Sequence, residues 1–199
     1  MRGFILGVIV TLLAIVIGVY ATIHFGWFPI GADNPPGSVE RKLANMAMDE
    51  YVDHHAPNQP NPIQPTDDNL TDGARIYEQN CALCHGGASN KTSPMRSKFS
   101  PPVPQLLVRI PDDDDAHLWW VTKHGARMTG MPSWDGVLTD DDMWKAIAFV
   151  KHSNSLPPGV EEAWHMMARE GQTSQQGNTA TPATPQSGNP APTARPGRR

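Results

Sequence analysis

The residues best suited to chemistry are two cysteines and a histidine in the segment Cys81-Ala82-Leu83-Cys84-His85. These are the only 2 cysteines of the chain, and they form a CxxCH motif. Residues three apart lie on one face of a helical turn, so the thiols of Cys81 and Cys84 can both add to the vinyl groups at one edge of a porphyrin. The adjacent His85 then supplies an imidazole to the iron. The motif predicts one covalently bound haem c.

The cysteine pair has three other interpretations: a buried structural pair beside a surface histidine, half of a zinc site, and a redox dithiol. Two cysteines are too few for a disulfide framework or a four-thiolate zinc site. A mixed zinc site needs two more Cys or His ligands, and neither a second CxxC nor an HxxxH follows. A thioredoxin-like dithiol needs a surrounding βαβ pattern, which the sequence does not show. Haem attachment is therefore favoured.

A second iron ligand is expected from residues 123–134, which read KHGARMTGMPSW. Two methionines lie here between glycines and a proline, where the backbone is not held in a helix and a thioether can reach the iron. We favour Met131, because Pro132 fixes its neighbourhood and Gly130 lets the backbone approach the ring. The alternative ligands are Met128, His124 and His117. Met/His ligation raises the potential of a haem and suits electron transfer.

A helix is predicted over residues 70–80 to deliver the cysteines. Thr71 or Asp72 is the expected N-cap. The i, i+4 spacing places Gly73, Tyr77 and Cys81 on one side of this helix, which runs into the haem site.

A second helix is predicted over residues 139–151, near the end of the domain. It has a capped acidic start at Thr139, a basic finish, and an apolar stripe at Met143, Ile147 and Val150. The small Gly73 should let the two helices cross closely, with Tyr77 packed against Phe149 or Val150.

Composition limits the class of protein. Of 199 residues, 20 are proline and 17 glycine. Together they make about 19% of the chain, above an average of about 12%, which indicates loops and linkers around a small core and not a large multi-domain enzyme. Lys and Arg number 16 against 20 Asp and Glu, and the net charge of −4 offers no broad basic surface for DNA or RNA. We expect no nucleic-acid partner.

The N-terminal segment is typical of a membrane span. Gly3 to Ile23 is a run of 21 uncharged residues, and a helix of this length at ~1.5 Å per residue crosses a ~30 Å hydrocarbon core. Arg2 precedes the run, and Tyr20, Trp27 and Phe28 gather at its end, which places the N-terminus in the cytoplasm and the rest outside. A signal peptide cleaved near Val19-Tyr20-Ala21 is the alternative. We expect residues 1–28 to be the anchor, and either interpretation exports the remainder.

The exported part divides by composition. Residues 29–68 form a Pro-rich spacer with one amphipathic helix over 38–55, for which Ser38 is the expected N-cap. The apolar face of this helix requires a partner, either the membrane surface or the following domain. Residues 69–158 form a small domain whose core needs help from a metal, a cofactor or cross-links, and 159–170 form a short helical extension. Residues 171–199 are polar and are expected to be disordered.

Taken together, the motifs resemble the class I c-type cytochromes, in particular the bacterial membrane-anchored mono-haem type. These carry GxxxYxxxCxxCH near the start and TGMP near the end. The matching positions are Gly73, Tyr77, Cys81, Cys84, His85, Gly130, Met131 and Pro132. The resemblance covers about residues 69–157 and implies an all-α fold, the small cytochrome c fold around one covalently bound haem, preceded here by an N-terminal transmembrane helix. It implies that His85 and Met131 are the axial ligands.

The resemblance also suggests roles for three further residues. The segment Pro101 to Leu106 is similar to the family's proline-containing loop, so the Pro104 carbonyl is expected to accept the proton of the proximal imidazole and Leu106 to pack on the ring. Of the neighbouring Trp119 and Trp120, one is expected to cover the haem and the other to belong to the core, and Trp120 is the candidate haem contact.

The function that the resemblance implies is outer-sphere electron transfer, with no catalytic residue. The chain would be a carrier on the extracytoplasmic side of the bacterial cytoplasmic membrane, taking electrons from one redox protein and giving them to another. Two alternatives stay open: a haem subunit of a larger dehydrogenase or oxidase complex, and a haem protein whose distal ligand leaves so that peroxide or nitric oxide binds.

Overall fold

The computed structural model describes residues 1–27, 30–34 and 36–178, and for 172–178 it describes the backbone alone. The described residues form helices and no β-strand, so the protein is all-α, as expected. The helices are α1 (Arg2–His24), α2 (Ser38–His55), α3 (Asp67–Asn80), α4 (Ala82–His85), α5 (Asp115–His124), α6 (Asp140–His152) and α7 (Pro158–Asn178).

Helix α1 is long and apolar enough to cross a membrane, a property that signal sequences share. It has 23 residues, its most apolar window has a mean hydropathy of 2.8, and none of its residues is buried. Its two threonines bond to their own helix, Thr11 Oγ1 donating to the Gly7 carbonyl (3.0 Å) and Thr22 Oγ1 to the Gly18 carbonyl (2.8 Å). Such bonding suits a lipid environment, which offers no other partner. Phe28, expected in the aromatic belt, lies outside the described residues.

Helices α3 and α6 form the centre of the domain and cross closely at Gly73. A Cβ built on Gly73 would collide with the Lys145 carbonyl and lie 3.0 Å from Phe149 Cβ. Next to this crossing, the rings of Tyr77 and Phe149 pack with centroids 5.4 Å apart, and both residues are fully buried. The crossing confirms the close approach that the small residue at position 73 predicted.

The caps of these helices are partly as predicted. Helix α6 has the expected cap, since Thr139 Oγ1 accepts from the Asp142 backbone N–H at 3.1 Å. Helix α3 begins earlier than expected: its N-cap is Thr66, whose Oγ1 accepts from the Asn69 backbone N–H at 3.3 Å. The predicted cap at Thr71 or Asp72 was therefore wrong, because a start at Thr66 places two acidic residues in the first turn, where the helix dipole favours them.

Helix α2 packs on the domain through its C-terminal half. Val52 is completely buried, Asp53 lies 3.2 Å from His117 Nδ1 on α5, and the Tyr51 ring meets Trp120 edge to face. The N-cap is Gly37 and not Ser38, and the Gly37 N–H donates to the Glu40 carboxylate at 3.3 Å.

The segment after α2 also joins the domain. The Asn61 side-chain amide donates to the Trp144 carbonyl at 3.1 Å, and Ile63 packs on the cluster that holds Trp144 and Ile147. Part of the segment expected to be a spacer is thus folded onto the domain.

Helix α7 completes the core from the other side. Val160, Trp164 and Ala168 are buried at successive i, i+4 positions, and Trp164 meets Phe149 edge to face with centroids 5.0 Å apart. The helix continues to Asn178, past the expected start of the polar tail at 171. Residues 179–199, for which we expected disorder, lie outside the described residues.

Candidate haem site

The two cysteines lie in a single helical turn that follows α3 directly. Cys81 is the C-cap of α3, and its carbonyl accepts from the backbone N–H groups of Cys84 (3.1 Å) and His85 (2.9 Å). The two cysteines form no disulfide with each other, and both are partly exposed. The turn ends at Gly86, whose φ of 87° and close approach to the Lys91 carbonyl both require glycine.

A buried tyrosine fixes the chain just after the motif. The Tyr77 hydroxyl donates to the Gly86 carbonyl at 2.8 Å, and burial raises the pKa of this phenol well above its usual value. The Tyr77 side chain thus makes two contacts: its ring packs against Phe149, and its hydroxyl holds the backbone just after His85.

The His85 ring is oriented by a carbonyl nineteen residues further along the chain. Its Nδ1 lies 2.8 Å from the Pro104 oxygen. A carbonyl only accepts, so Nδ1 carries the proton and Nε2 keeps a free lone pair. Burial lowers the pKa of His85, and the bond to Pro104 opposes this more weakly. The residue therefore presents a neutral imidazole, which is the form that binds iron.

Gln105 holds the Pro104 loop against the cysteine turn, a role that the sequence did not suggest. Its Nε2 donates to the carbonyls of Cys84 (3.1 Å) and Val103 (3.0 Å), and its Oε1 accepts from the Ser93 backbone N–H (2.5 Å). The Ser93 hydroxyl donates in turn to the Leu83 carbonyl. Both Gln105 and Ser93 are buried. In the sequence, the only indication of this role is a glutamine within a segment of prolines and leucines.

Leu106 borders the main core near the cysteine turn. It is partly buried and packs on the cluster that contains Tyr77 and Phe149, as does Cys81. The structure thus brings Leu106, Pro104, His85 and the cysteines into one region.

The methionine loop folds back on the end of α5. Gly125 ends this helix with a φ of 71°, and a Cβ there would lie 2.8 Å from the Met131 carbonyl oxygen. That carbonyl accepts from the Ala126 N–H at 3.2 Å, and the Met131 N–H donates to Thr129 Oγ1 at 3.0 Å. A Cβ on Gly130 would meet the Phe99 ring, so the glycine permits that approach.

The two methionines of the loop differ in exposure. Met128 has a φ of 59° and is 90% exposed, whereas Met131 is partly buried. Met131 is therefore the methionine of the loop that packs on the rest of the domain.

The remaining candidates make other contacts. Trp120 packs on the rings of Tyr51 and His124, with centroids 5.6 and 4.5 Å away. Trp119 stacks on Trp144 at 5.3 Å, and its buried indole N–H has no acceptor among the described residues. His117, an alternative ligand, is turned toward the Asp53 carboxylate.

These donors fit a haem better than a zinc ion or a redox dithiol. The described residues contain no group of three or more His, Cys, Asp or Glu side chains that could hold a metal ion. Burial, with a smaller effect of Cys84, raises the pKa of Cys81 to about 12, whereas redox dithiols depend on a lowered thiol pKa. Two adjacent thiols beside a neutral imidazole are the donor set that covalent haem requires.

Comparison with known proteins gives a family match over the same segment. Residues 68–150 match the family model for cytochrome c oxidase, cbb3-type, subunit III. A chain of the reducing HAO-like protein complex of Kuenenia stuttgartiensis is similar at 24% identity and a TM-score of 0.39, over 45% of this chain and 45% of that one. The similarity thus spans less than half of that relative. No curated protein sequence matches.

The matched segment contains the cysteine turn, the Pro104 loop and the methionine loop. It is also all-helical in the structure. We conclude that residues 68–150 form a c-type cytochrome domain, a family that implies electron transfer through covalently bound haem c.

Proposed function

We propose that this protein is a membrane-anchored mono-haem cytochrome that passes single electrons between redox proteins by outer-sphere transfer. The observation that carries the proposal is the hydrogen bond from His85 Nδ1 to the Pro104 carbonyl at 2.8 Å. This hydrogen bond fixes the tautomer of the His85 imidazole and leaves Nε2 free to bind a metal. The two thiols lie in the same helical turn as His85.

Each residue of the site has an assigned role. Cys81 and Cys84 form the thioether bonds, His85 is the proximal ligand and Met131 the distal ligand. Leu106 packs on the ring, a role supported by its packing on the same core cluster as Cys81. Trp120 stays a candidate haem contact, although the rings that pack on it are Tyr51, His55 and His124.

Haem c in this site supplies a one-electron ferrous–ferric couple. The residues of the chain keep the ligands in place in both oxidation states. Pro104 holds the imidazole, Gln105 holds Pro104 against the cysteine turn, and Tyr77 holds the backbone after His85. If His85 and Met131 both bound the iron, no coordination site would remain for a substrate, so we infer a carrier and not an enzyme.

The anchor determines where the carrier works. Helix α1 is apolar and internally hydrogen-bonded, none of its residues is buried, and it begins at Arg2. By the positive-inside rule the N-terminus is cytoplasmic and the cytochrome domain extracytoplasmic, on the bacterial cytoplasmic membrane. Redox proteins of the membrane or of that compartment are the proposed donor and acceptor.

The test is to purify the full chain, matured in cells, from detergent-solubilised membranes. We expect a pyridine haemochrome spectrum of haem c and a mass greater than that of the polypeptide by one haem. A ferric charge-transfer band from sulfur to iron should persist at neutral pH. A colourless protein would overturn the proposal, and a high-spin spectrum would favour a haem that binds peroxide or nitric oxide.

A second candidate function is that of a haem subunit within a larger complex. The family model that matches residues 68–150 describes an oxidase subunit, which favours this candidate. Purification in a mild detergent distinguishes the two: a subunit co-purifies with stoichiometric partners, whereas a mobile carrier elutes alone.

A further inference from the structure

Helix α2 has two apolar faces, and the domain covers one of them. Val52, in the C-terminal half, is completely buried against the domain. In the N-terminal half, Val39, Leu43 and Met46 are 70%, 55% and 54% exposed. At about 100° per residue, these three lie roughly 120–180° around the helix from Val52. The exposed apolar stripe thus faces away from the domain.

We propose that the stripe of Val39, Leu43 and Met46 lies in the interface of the lipid bilayer and holds the cytochrome domain on the membrane in one orientation. This inference rests on the proposed anchoring through α1. Thirteen residues, 25–37, separate α1 from α2, so the start of α2 is at most about 45 Å from the end of the membrane span. The stripe occupies the half of α2 nearest to that end.

Among the charged residues of α2, Lys42 suits the same contact. Arg41 and Lys42 lie in the half that carries the stripe, whereas Asp49, Glu50 and Asp53 lie in the half docked on the domain. At about 100° per residue, Lys42 lies about 40° around the helix from Met46 and can reach anionic headgroups beside the stripe, whereas Arg41 lies about 160° from Leu43, on the opposite side of the helix. Two acidic residues adjoin the stripe: Glu40 accepts from the backbone N–H of Gly37, and Glu50, one turn after Met46 on the same face, ends the stripe and lies 3.9 Å from His54.

A second copy of the chain is a poorer occupant. Stable dimers bury about 800 Å² on each partner, and three side chains on about two turns of helix offer far less. Interfacial helices need only a modest apolar face when an anchor already keeps the protein at the surface, because the tether removes most of the cost of association.

The docking of α2 gives the contact a consequence for electron transfer. Tyr51 and Asp53 attach α2 to α5, and α5 ends at Gly125, where the methionine loop begins. A bilayer contact along α2 therefore restricts the directions in which the methionine side of the domain can face. Donors and acceptors would meet a domain held in one orientation, in place of one that tumbles on a flexible tether.

The test uses the full-length, haem-loaded chain in nanodiscs with anionic lipid. A nitroxide is attached at Leu43→Cys and, as a matched control, at Asn45→Cys, an exposed position on another face of the same turn. With the iron reduced, we expect the label at 43 to collide severalfold more with oxygen than with a water-soluble nickel chelate. The label at 45 should show the opposite preference. Equal, water-like accessibility at both positions would overturn the inference.

Two further measurements separate this inference from the anchoring on which it rests. If alkaline carbonate extracts the chain from membranes, the anchor is wrong and the inference falls with it. If the chain resists extraction but position 43 is water-accessible, the inference alone is wrong. Dipolar broadening between labels at 43 on different molecules would show that a second copy covers the stripe, and would also overturn it.

Discussion

Trp164 donates its indole N–H to the Glu78 carboxylate at 2.9 Å, and the same carboxylate oxygen accepts from the Ala88 N–H at 3.2 Å. Trp164 belongs to α7, beyond the segment that matches the family model, whereas Ala88 is in the loop just after the CxxCH motif. One carboxylate thus ties the C-terminal helix to the haem-attachment loop. The helix is therefore part of the folded domain.

Replacing Trp164 tests this connection. Trp164→Phe keeps a ring against Phe149 but removes the donor to Glu78, and a hydrogen bond to a charged group contributes about 1.5–3 kcal/mol. Trp164→Ala also leaves a cavity and should cost about 3–5 kcal/mol. Denaturant unfolding of the haem-loaded chain gives both values. Met166→Ala, at an exposed position of the same helix, is the control and should change little.

The crossing of α3 and α6 predicts a strong effect of one methyl group. Gly73→Ala places a Cβ on the Lys145 carbonyl, so one helix must move, and such overpacking costs about 1–3 kcal/mol. Gly159→Ala is the matched control, because a Cβ at 159 has nothing within 4 Å. It lies in the first turn of α7, where alanine should be neutral or slightly stabilising. Equal stability of the two variants would contradict the crossing.

The features that the sequence predicted are local. CxxCH, the Gly73–Tyr77–Cys81 spacing and the Thr139 cap depend on residues within two turns of one another, and each has a direct physical meaning. The Thr66 cap was missed because a start at Thr71 or Asp72 satisfies the same rule equally well. The acidic pair Asp67 and Asp68, which a start at Thr66 places in the first turn, is the signal that favours the earlier cap.

The features that the sequence did not predict depend on distant partners. Gln105 acts on residues up to 21 positions away, and Trp164 reaches Glu78 across 86 positions. The composition of residues 29–68 indicated a spacer, because proline content reports local stiffness and not docking. Val52 is buried there because α5 provides a surface, and neither segment shows this alone.

Gln105 should position the proximal ligand. Gln105→Leu removes two donors and one acceptor at a buried site, and the orphaned backbone groups should cost about 2–4 kcal/mol of stability. Gln105→Glu keeps the acceptor for Ser93 but loses both donors. We expect both variants to shift the midpoint potential, since the Pro104 carbonyl that orients His85 is freed to move. A loss of stability with an unchanged potential would limit Gln105 to a structural role.

The ion pairs of Asp72 predict a pH dependence of stability. Lys145 at 2.8 Å, and to a lesser extent Arg75 at 3.0 Å, hold the pKa of this carboxyl below its usual value. Because the pKa of Asp72 is lower in the folded than in the unfolded state, its ion pairs stabilise the folded state. This contribution is complete above the unfolded pKa of about 3.9 and is lost as the pH falls through the folded-state pKa. The side chain is 41% exposed, so solvent screening limits the contribution to about 0.2–1 kcal/mol.

Asp72→Asn should remove that part of the pH dependence. The difference in unfolding free energy between the parent chain and the variant should be constant near neutral pH and shrink below about pH 4. Asp112→Asn is the control, since Asp112 is 91% exposed and lies 3.5 Å from Arg109, which is 86% exposed. A difference that grows on acidification would show the wrong sign and refute the assignment.

The distal ligand gives the most specific prediction for the site. Met131→Ala should abolish the ferric sulfur-to-iron charge-transfer band and lower the reduction potential, because the thioether stabilises ferrous iron. Met128→Ala should change neither, since that side chain is 90% exposed. Both variants lie in one loop and both remove a methionine, so general damage to the loop would affect them alike. Loss of the band in Met128→Ala, with the band kept in Met131→Ala, would reverse the assignment and require the loop to rotate about Thr129 when haem is attached.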